Sequence, residues 1–426
     1  MPIKSENKAI IVYADWEGLG GSCKMGQLNS ERVRGTEVFS FTYSEEWLNN
    51  DFAQVIDPDL QLFRGRQYLG DKKKDNFGIF TDSSPDRWGR VLMRRRETAL
   101  ARQEKRNAKT LFETDYLLGV YDEHRMGALR FKLAEDGPFL NNNPLLATPP
   151  WTSIRKLEEI SLKLEEEEVS SDPDYLNWLN LLIAPGSSLG GARPKASVVD
   201  ANGSLWIAKF PSKNDEGNTG AWEWVSYQMA KSCGINMAEA QAKQFYSKNH
   251  TFLTKRFDRT KQSKRIHFAS AMTLLGYTDG NDFEDGVSYL ELVDFIKTQG
   301  SNVTEDLKEL WRRIVFSICI SNADDHLRNH GFLLTTNGWR LSPAYDINPI
   351  ETAYGLKLNV SENDNAIDLD LALEVIAYFR LKKNEAKQII QEVITAVSSW
   401  KRLAQQAGIS KNEIELKTNA FRLVNK

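Results

Sequence analysis

The sequence predicts an α+β chain in which a β-rich N-terminal module precedes a mixed lobe and then a mainly helical one, and three observations carry that reading. Short runs of β-branched and aromatic residues, broken by Gly, Asn and Pro, fill residues 8 to about 70. Strand-like and helical runs alternate between residues 153 and 258. Beyond Arg259 the apolar spacing is mostly helical to the end.

Taken in order, "AIIVYAD", "EVFSFTYS" and "LQLFRGRQYLG" read as strands. "SSPDRWGRVLMRRRETALARQEKR" shifts to helical spacing, with Ser84 read as N-cap and Pro85 as the first helical residue. Residues 136–152, "DGPFLNNNPLLATPPWT", hold four prolines and three consecutive asparagines and are read as the linker. The predicted domains are therefore 1–135, a β-rich module; 153–258, a mixed lobe with a glycine loop; and 259–426, a helical lobe. In the mixed lobe "SIRKLEEISLKLEEEEV" is helical, "LLIAPGSSLGGARPKASVVD" and "GSLWIAKFPS" are strand-like around glycines, and "AWEWVSYQMAKSCG" is a helix ended by Gly234. "AKQFYS" and "TFLTKRFDR" are the next strands.

Bulk properties exclude several classes. A net charge of -3, from 55 basic and 58 acidic residues, gives no global attraction to nucleic acid. The one local basic run, Lys72 to Lys74 with Arg87, Arg90, Arg94, Arg95 and Arg96, is either a solvated helix face or a contact for DNA phosphates. Cys23, Cys233 and Cys319 fit neither a disulfide framework nor a zinc site, so a reducing, cytoplasmic setting is expected. No run reaches the length of a signal-peptide core or a membrane span, and no membrane role is expected.

The chemistry concentrates in "SNADDHLRNHGF", residues 321–332. Asp324 and Asn329 stand as Asp-x4-Asn, and Asp346 follows seventeen residues later in "LSPAYDINP". Phosphoryl transfer from ATP needs a carboxylate at the acceptor hydroxyl and oxygen ligands that hold Mg²⁺ against the phosphates, and protein kinases draw both from this spacing. Asp324 is then the base, and Asn329 and Asp346 the metal ligands. A polar turn would contain the same residue types without any such task. His326 and His330 have the i, i+4 spacing of a zincin helix, but Leu327 stands where its glutamate belongs and no third ligand is evident. His326 is read as an orienting residue of the loop, whereas Asp325, Arg328 and His330 receive no role.

Upstream, "APGSSLGGARPKA" sets Gly186, Gly190 and Gly191 around Ser187 and Ser188, the composition of a phosphate-cradling loop. Gly186 and Gly191 have Walker A spacing, yet Ala192 and Arg193 replace its Lys and Ser/Thr, which disfavours a P-loop NTPase. Lys209 lies in the apolar run "LWIAKF", and Glu223 on the helix that follows is the type of residue that pairs with such a lysine. An edge-strand lysine reaching water is the plainer reading of Lys209 alone. The order of glycine loop, strand lysine, helix glutamate, "KRFDR", Asp-x4-Asn and Asp favours a phosphotransferase.

These blocks, "SSLGGARPK", "AKF", "RFDR", "NADDHLRNHGF" and "SPAYDINP", together with "GQL" and "SSPDRWGR" nearer the N-terminus, resemble the signature segments of the HipA family, the kinase toxins of bacterial toxin–antitoxin modules. The resemblance spans roughly residues 8 to 400. It implies a serine/threonine protein kinase with a bilobal, phosphoinositide-kinase-like fold, using ATP and Mg²⁺. Its implied partners are a HipB-like helix-turn-helix antitoxin, operator DNA through that antitoxin, and a protein substrate such as an aminoacyl-tRNA synthetase. By the same resemblance Asp324 is the base, Asn329 and Asp346 the magnesium ligands, and Lys209 the phosphate-contacting lysine. Lys255 and Phe257 fall at the adenine hinge with Asp258 beside them, and Ser188, Leu189, Gly190 and Gly191 form the nucleotide loop. Ser188, or Ser187 beside it, is the implied autophosphorylation site, where added phosphate charge would eject the loop from the nucleotide site. Lys255, where an acid is expected, and "HFASAMTLLGY" at 267–277 depart from the pattern and bear on the target. Two other functions fit the same residues: a nucleotide-binding corepressor, bound to its antitoxin and without transfer activity, and a small-molecule kinase.

Overall fold

The computed structural model describes residues 7–166, 169–183 and 193–424. By its contacts the chain forms two units, residues 1–212 with 258–269, and residues 213–257 with 270–426.

The first unit is built on an antiparallel sheet in the order β4-β3-β2-β1-β5, from β1 (Lys8–Ala14), β2 (Cys23–Val33), β3 (Thr36–Tyr43), β4 (Arg66–Tyr68) and β5 (Leu129–Lys132). Alternation along the strands turns Ile10, Val12, Leu28, Phe39 and Phe41 into a dry interior. Of the run "LQLFRGRQYLG" only three residues pair as a strand. Gln61 instead uses its backbone to bond both ends of the Gln67 amide.

The helices of this unit are α1 (Glu45–Leu48), α2 (Gly78–Asp82), α3 (Arg87–Gln103), α4 (Glu113–Gly119), α5 (Ile154–Lys163) and α6 (Tyr175–Leu182). Ser84 does not cap α3. Its hydroxyl donates back to Phe80 O, closing α2, and Asp86 is the N-cap, accepting from Gly89 N–H. A carboxylate is the better acceptor there, and it also complements the helix dipole. The basic residues are spent internally. Arg90 meets Glu113 and the Tyr116 ring, Arg95 donates to Leu164 O at 2.7 Å, and Arg96 to Asn180 Oδ1 at 2.6 Å. Those three guanidinium groups are therefore committed within the unit rather than held out for DNA.

The 136–152 stretch is a corrected expectation too, because it lies inside the first unit and is stitched to it. Leu140 N–H donates to Phe131 O, Asn141 N–H to Val120 O, and Val199 N–H to Pro149 O. Prolines and asparagines here make turns, and several of their backbone groups are taken up by neighbours.

β6 (Lys195–Val199) and β7 (Leu205–Lys209) form an antiparallel pair, also in the first unit. The start of the glycine-rich run is not extended, since Leu181 and Leu182 close α6. Residues 258–269 return to this unit from later in the chain. Asp258 is fully buried and accepts from Gly127 N–H at 2.9 Å and from Arg259 at 2.6 Å, while Arg265 donates to Asp122 O at 2.6 Å. Gly127, at φ +69°, has the Phe268 backbone 3.3 Å from where a Cβ would stand.

In the second unit α7 (Thr219–Ser232) is capped by Asn218 and packs on β8 (Ala240–Lys243) and β9 (Thr251–Lys255). The strand expected at "AKQFYS" is shifted upstream to β8. After β10 (Phe268–Ser270) come α8 (Ala271–Leu274), α9 (Tyr289–Gln299) and α10 (Val303–Ile320). The hairpin β11 (Gly331–Thr335) and β12 (Gly338–Leu341) interrupts the helical run expected there. The unit closes with α11 (Leu369–Glu374), α12 (Lys383–Val397), α13 (Trp400–Gln406) and α14 (Lys411–Leu416). α10 is the axis of this unit, with Leu307, Leu310, Trp311, Ile314, Val315, Phe316 and Ile318 inaccessible. Among the described residues no helix is long and apolar enough to cross a membrane.

Candidate active site

α10 delivers the chain to the site. It ends at Ser321 in the left-handed region, φ +52°, pinned by a bond from the Ser321 hydroxyl to Ala420 O. The chain then turns through residues 322–330, where His326 N–H donates to Asp324 O and Asn329 N–H to His326 O. The turn holds only a single 3-10 turn at Leu327–Asn329 and no α-helix, so the two histidines lack the shared α-helical face a zincin requires.

Asp324 is exposed at the tip of this turn. Its carboxyl is nevertheless held above the usual carboxylate range, by partial desolvation first and by the charge of Asp346, against the opposing pull of His326 and Lys357. The mutual influence of Asp324 and Asp346 brings the proposed base and one proposed metal ligand into one electrostatic neighbourhood.

Asn329 supplies the decisive detail. Its Nδ2 donates to Asp324 O at 2.9 Å, which fixes the amide orientation, and its Oδ1 is buried with no hydrogen-bond partner among the described residues. A buried acceptor left unmade costs about 1–3 kcal/mol. An oxygen-seeking cation would satisfy it. Asp346 sits at φ +57°, a left-handed conformation that Asp tolerates better than most residues and that turns the chain sharply. Segment 342–347 is tied on both sides: Ser342 N–H donates to Gly331 O, Ala344 N–H to Asn236 O, and Tyr345 OH to Arg328 O at 2.7 Å. Among the described residues no three His, Cys, Asp or Glu side chains form a metal cage. An amide oxygen and a carboxylate suit Mg²⁺, which is bound through few protein ligands and completed by water and phosphate oxygens.

Loop orientation, expected of His326, falls largely to its neighbours. His326 Nδ1 is buried without a hydrogen-bond partner among the described residues. Asp325, to which the sequence gave no task, is buried, accepts from Tyr289 OH at 2.7 Å and lies 3.1 Å from His330 Nε2. Burial works to raise its pKa, but His330 and the Tyr289 bond hold the carboxyl below the ordinary value. The same contact, with burial, drives the Tyr289 phenol well above its ordinary value. Arg328 reaches Asp279 at 3.4 Å, and Lys357 reaches Asp282 at 2.6 Å. No sequence spacing signals these partners, since they come from segments far from the loop.

At Asp346 a small, mostly apolar recess opens within the second unit, lined by Glu223, Tyr227, Met237, Phe252, Thr254, Tyr345 and Ile347 among others. Glu223 on α7 is buried at its wall. Phe257 stacks obliquely on Tyr345, with ring centroids 5.6 Å apart, and Lys255 extends outward toward Glu239 at 3.6 Å. Lys209 ends β7 in the first unit and is buried. Asp258 is taken up by the first unit, as described above, which argues for a structural role over a nucleotide contact. Ser187, Ser188, Leu189, Gly190 and Gly191 lie outside the described residues.

Residues 187–401, half of the chain and the part that contains Asp324, Asn329 and Asp346, match the family model described as the HipA-like C-terminal domain. The chain belongs to the HipA family. The solved complex of Shewanella oneidensis HipA with HipB and its operator DNA has the same fold: it aligns over 97% of this chain and 96% of that one, with a TM-score of 0.64 at 17% identity. Among curated HipA relatives, the Shewanella oneidensis serine/threonine-protein kinase toxin HipA is 23% identical over 231 residues, 48% of this chain and 52% of that protein. A Haemophilus influenzae protein named as an inferred kinase is 28% identical over 183 residues, 38% of this chain and 52% of that one. The chain spans about half the length of the curated relatives it matches.

Proposed function

We propose that this chain is an ATP- and Mg²⁺-dependent serine/threonine protein kinase and the toxin of a toxin–antitoxin pair. The observation that carries the reading is the orphaned Asn329 Oδ1, buried in the same loop as an exposed Asp324 whose carboxyl responds to Asp346. Asp324 accepts the proton of the acceptor hydroxyl. Asn329 and Asp346 hold Mg²⁺, which when bound neutralises charge on the phosphates. Lys209 contacts phosphate oxygens. Phe257 and Lys255, at the hinge, meet the adenine. His326 lowers the proton affinity of Asp324 through its charge.

The solved complex of a relative with HipB and operator DNA supports a HipB-like antitoxin and, through it, operator DNA as partners; the same reading takes a protein substrate such as an aminoacyl-tRNA synthetase. Autophosphorylation at Ser188 or Ser187 is the proposed off-switch. Incubation with labelled ATP and Mg²⁺, alone and with lysate, tests the activity. Label on protein with the wild type and none with Asp324→Ala is expected; equal label from both refutes the assignment.

A further inference from the structure

Ser321 and Asp346, the left-handed residues that aim the catalytic loop and the metal-ligand segment, lie on two strips that touch outside the site, where Ile350 N–H donates to Ser321 O at 3.2 Å. Left-handed backbone at non-glycine residues persists only where the surroundings over-determine it. Here they include a third strip, the 3-10 turn Lys417–Phe421 with Arg422 behind it. The Ser321 hydroxyl donates to Ala420 O at 2.8 Å and accepts from Arg422 Nη1 at 3.0 Å. The other end of that guanidinium, Nη2, donates to Ala353 O at 3.3 Å. Lys417 Nζ donates to Pro349 O at 3.3 Å and pairs with the Glu351 carboxylate, and Asn419 Nδ2 donates to Glu351 O. One turn therefore grips the catalytic loop just before Asp324 and the metal-ligand segment just after Asp346. The grip has a firm backing. Ala420 and Phe421 are buried, the Phe421 ring stacks on Trp400 with centroids 4.2 Å apart, and the ring of Trp222 on α7 lies 6.4 Å from it.

We infer that Arg422, supported by Lys417 and Asn419, is a positioning residue for phosphoryl transfer: it holds the loop that carries Asp324 and Asn329 at a fixed separation from the segment that carries Asp346. The transfer reaction rests on the kinase reading; the clamp itself rests on the bonds. Arg422 is its central member because its planar fork puts one nitrogen on each strip, so a lysine in its place could hold one strip but not both. The consequence of cutting it is specific. A change of separation moves the two oxygen ligands apart and misplaces the base, while nucleotide contacts on other elements are untouched. A residue that only fastened the turn to the body of the protein would lower the melting temperature and leave the Mg²⁺ dependence of the rate where it was.

Transfer from labelled ATP over a range of Mg²⁺ concentrations, with backbone hydrogen exchange on the same proteins, tests this for wild type, Arg422→Met and Arg422→Lys. Both variants are expected to lower kcat about ten- to hundredfold, to raise the half-saturating Mg²⁺ concentration about threefold or more, and to leave KM for ATP within about twofold. Amides of residues 322–330 and 346–353 should exchange about tenfold faster in both, while those of α9 and α12 stay as in the wild type. Unchanged kcat, an unmoved Mg²⁺ dependence or unchanged exchange in the two strips overturns the inference, and so does recovery of the wild-type rate by Arg422→Lys. Should the Arg422 variants fail to fold, Asn419→Ala, which removes an exposed side chain and its bond to Glu351 O, is expected to show the same exchange pattern with kcat lowered about threefold, and wild-type behaviour overturns the inference. Faster exchange in the two strips of Arg422→Met, in a protein whose wild type transfers no label from ATP, would refute the kinase reading and leave the clamp standing. Transfer by the wild type at a rate that Arg422→Met matches would refute the clamp alone.

Discussion

Asp324 illustrates how one carboxylate is tuned by its surroundings. Its raised pKa, from desolvation and then from Asp346, means that it ionises above the ordinary carboxylate value of 3.8. The acid limb of the kcat/KM profile should therefore lie above that pH, with activity falling as pH drops through it. Lys357 works in the opposite sense, so Lys357→Met is expected to move the limb upward, measured by the pH dependence of transfer from labelled ATP. Asp324→Ala should lower kcat by about 10²–10⁴ with nucleotide affinity changed only severalfold. The sequence singles out Asp324, Asn329 and Asp346 because kinase chemistry calls for their type and spacing. Asp325 escapes it, because the Tyr289 phenol and the His330 ring that give it a task are brought to it by folding.

At the level of elements, Arg125 shows what local patterns leave out. Its guanidinium is fully buried and donates to four backbone carbonyls, those of Ser83, Leu117, Val120 and Leu140, thereby joining α2, α4 and the 136–152 stretch. Burial lowers its pKa to about 10, still high enough to keep the charge at neutral pH. Arg125→Met would strand these acceptors, and a loss of at least about 3 kcal/mol is expected in denaturant unfolding. Helices such as α5 and α7 were readable from apolar spacing and, for α7, from the glycine that ends it. The stretch taken for a linker was not, since its many turn residues say that the chain bends but not that Arg125 collects its carbonyls.

For the whole molecule, stability should respond to acid through His267. It is buried, stacks on Trp16 at 5.2 Å between centroids, and burial depresses its pKa from 6.5 to about 3. The folded protein keeps this ring neutral while the unfolded chain takes up a proton below pH 6.5, so stability falls as pH drops from 6.5 toward 3. The slope is about 1.4 kcal/mol per pH unit. His267→Phe keeps the stacking and removes the titration; its melting temperature should decline less than that of the wild type between pH 6.5 and 4.5. Ligand binding acts on the same quantity. Mg²⁺ and ATP at a hundred times Kd should stabilise the protein by about 2.7 kcal/mol, an effect that Asp346→Ala is expected to abolish. The α+β class and the order of its parts were legible from composition along the chain, whereas the return of residues 258–269 to the first unit was hidden, because nothing local in "DRTKQSKRIHFA" names Asp122 or Gly127 as its partners.

That return has a consequence for how the protein is born. On the ribosome, residues 1–212 emerge without the segment that supplies the Asp258 and Arg265 bonds, and all of 213–257 must be synthesised before it appears. Until then Asp122 lacks one of its arginines and Gly127 N–H lacks its carboxylate. A nascent chain stalled or cut before residue 258 therefore carries a first unit with an open seam, and the protein gains its complete N-terminal half only after much of its second half has begun to be made.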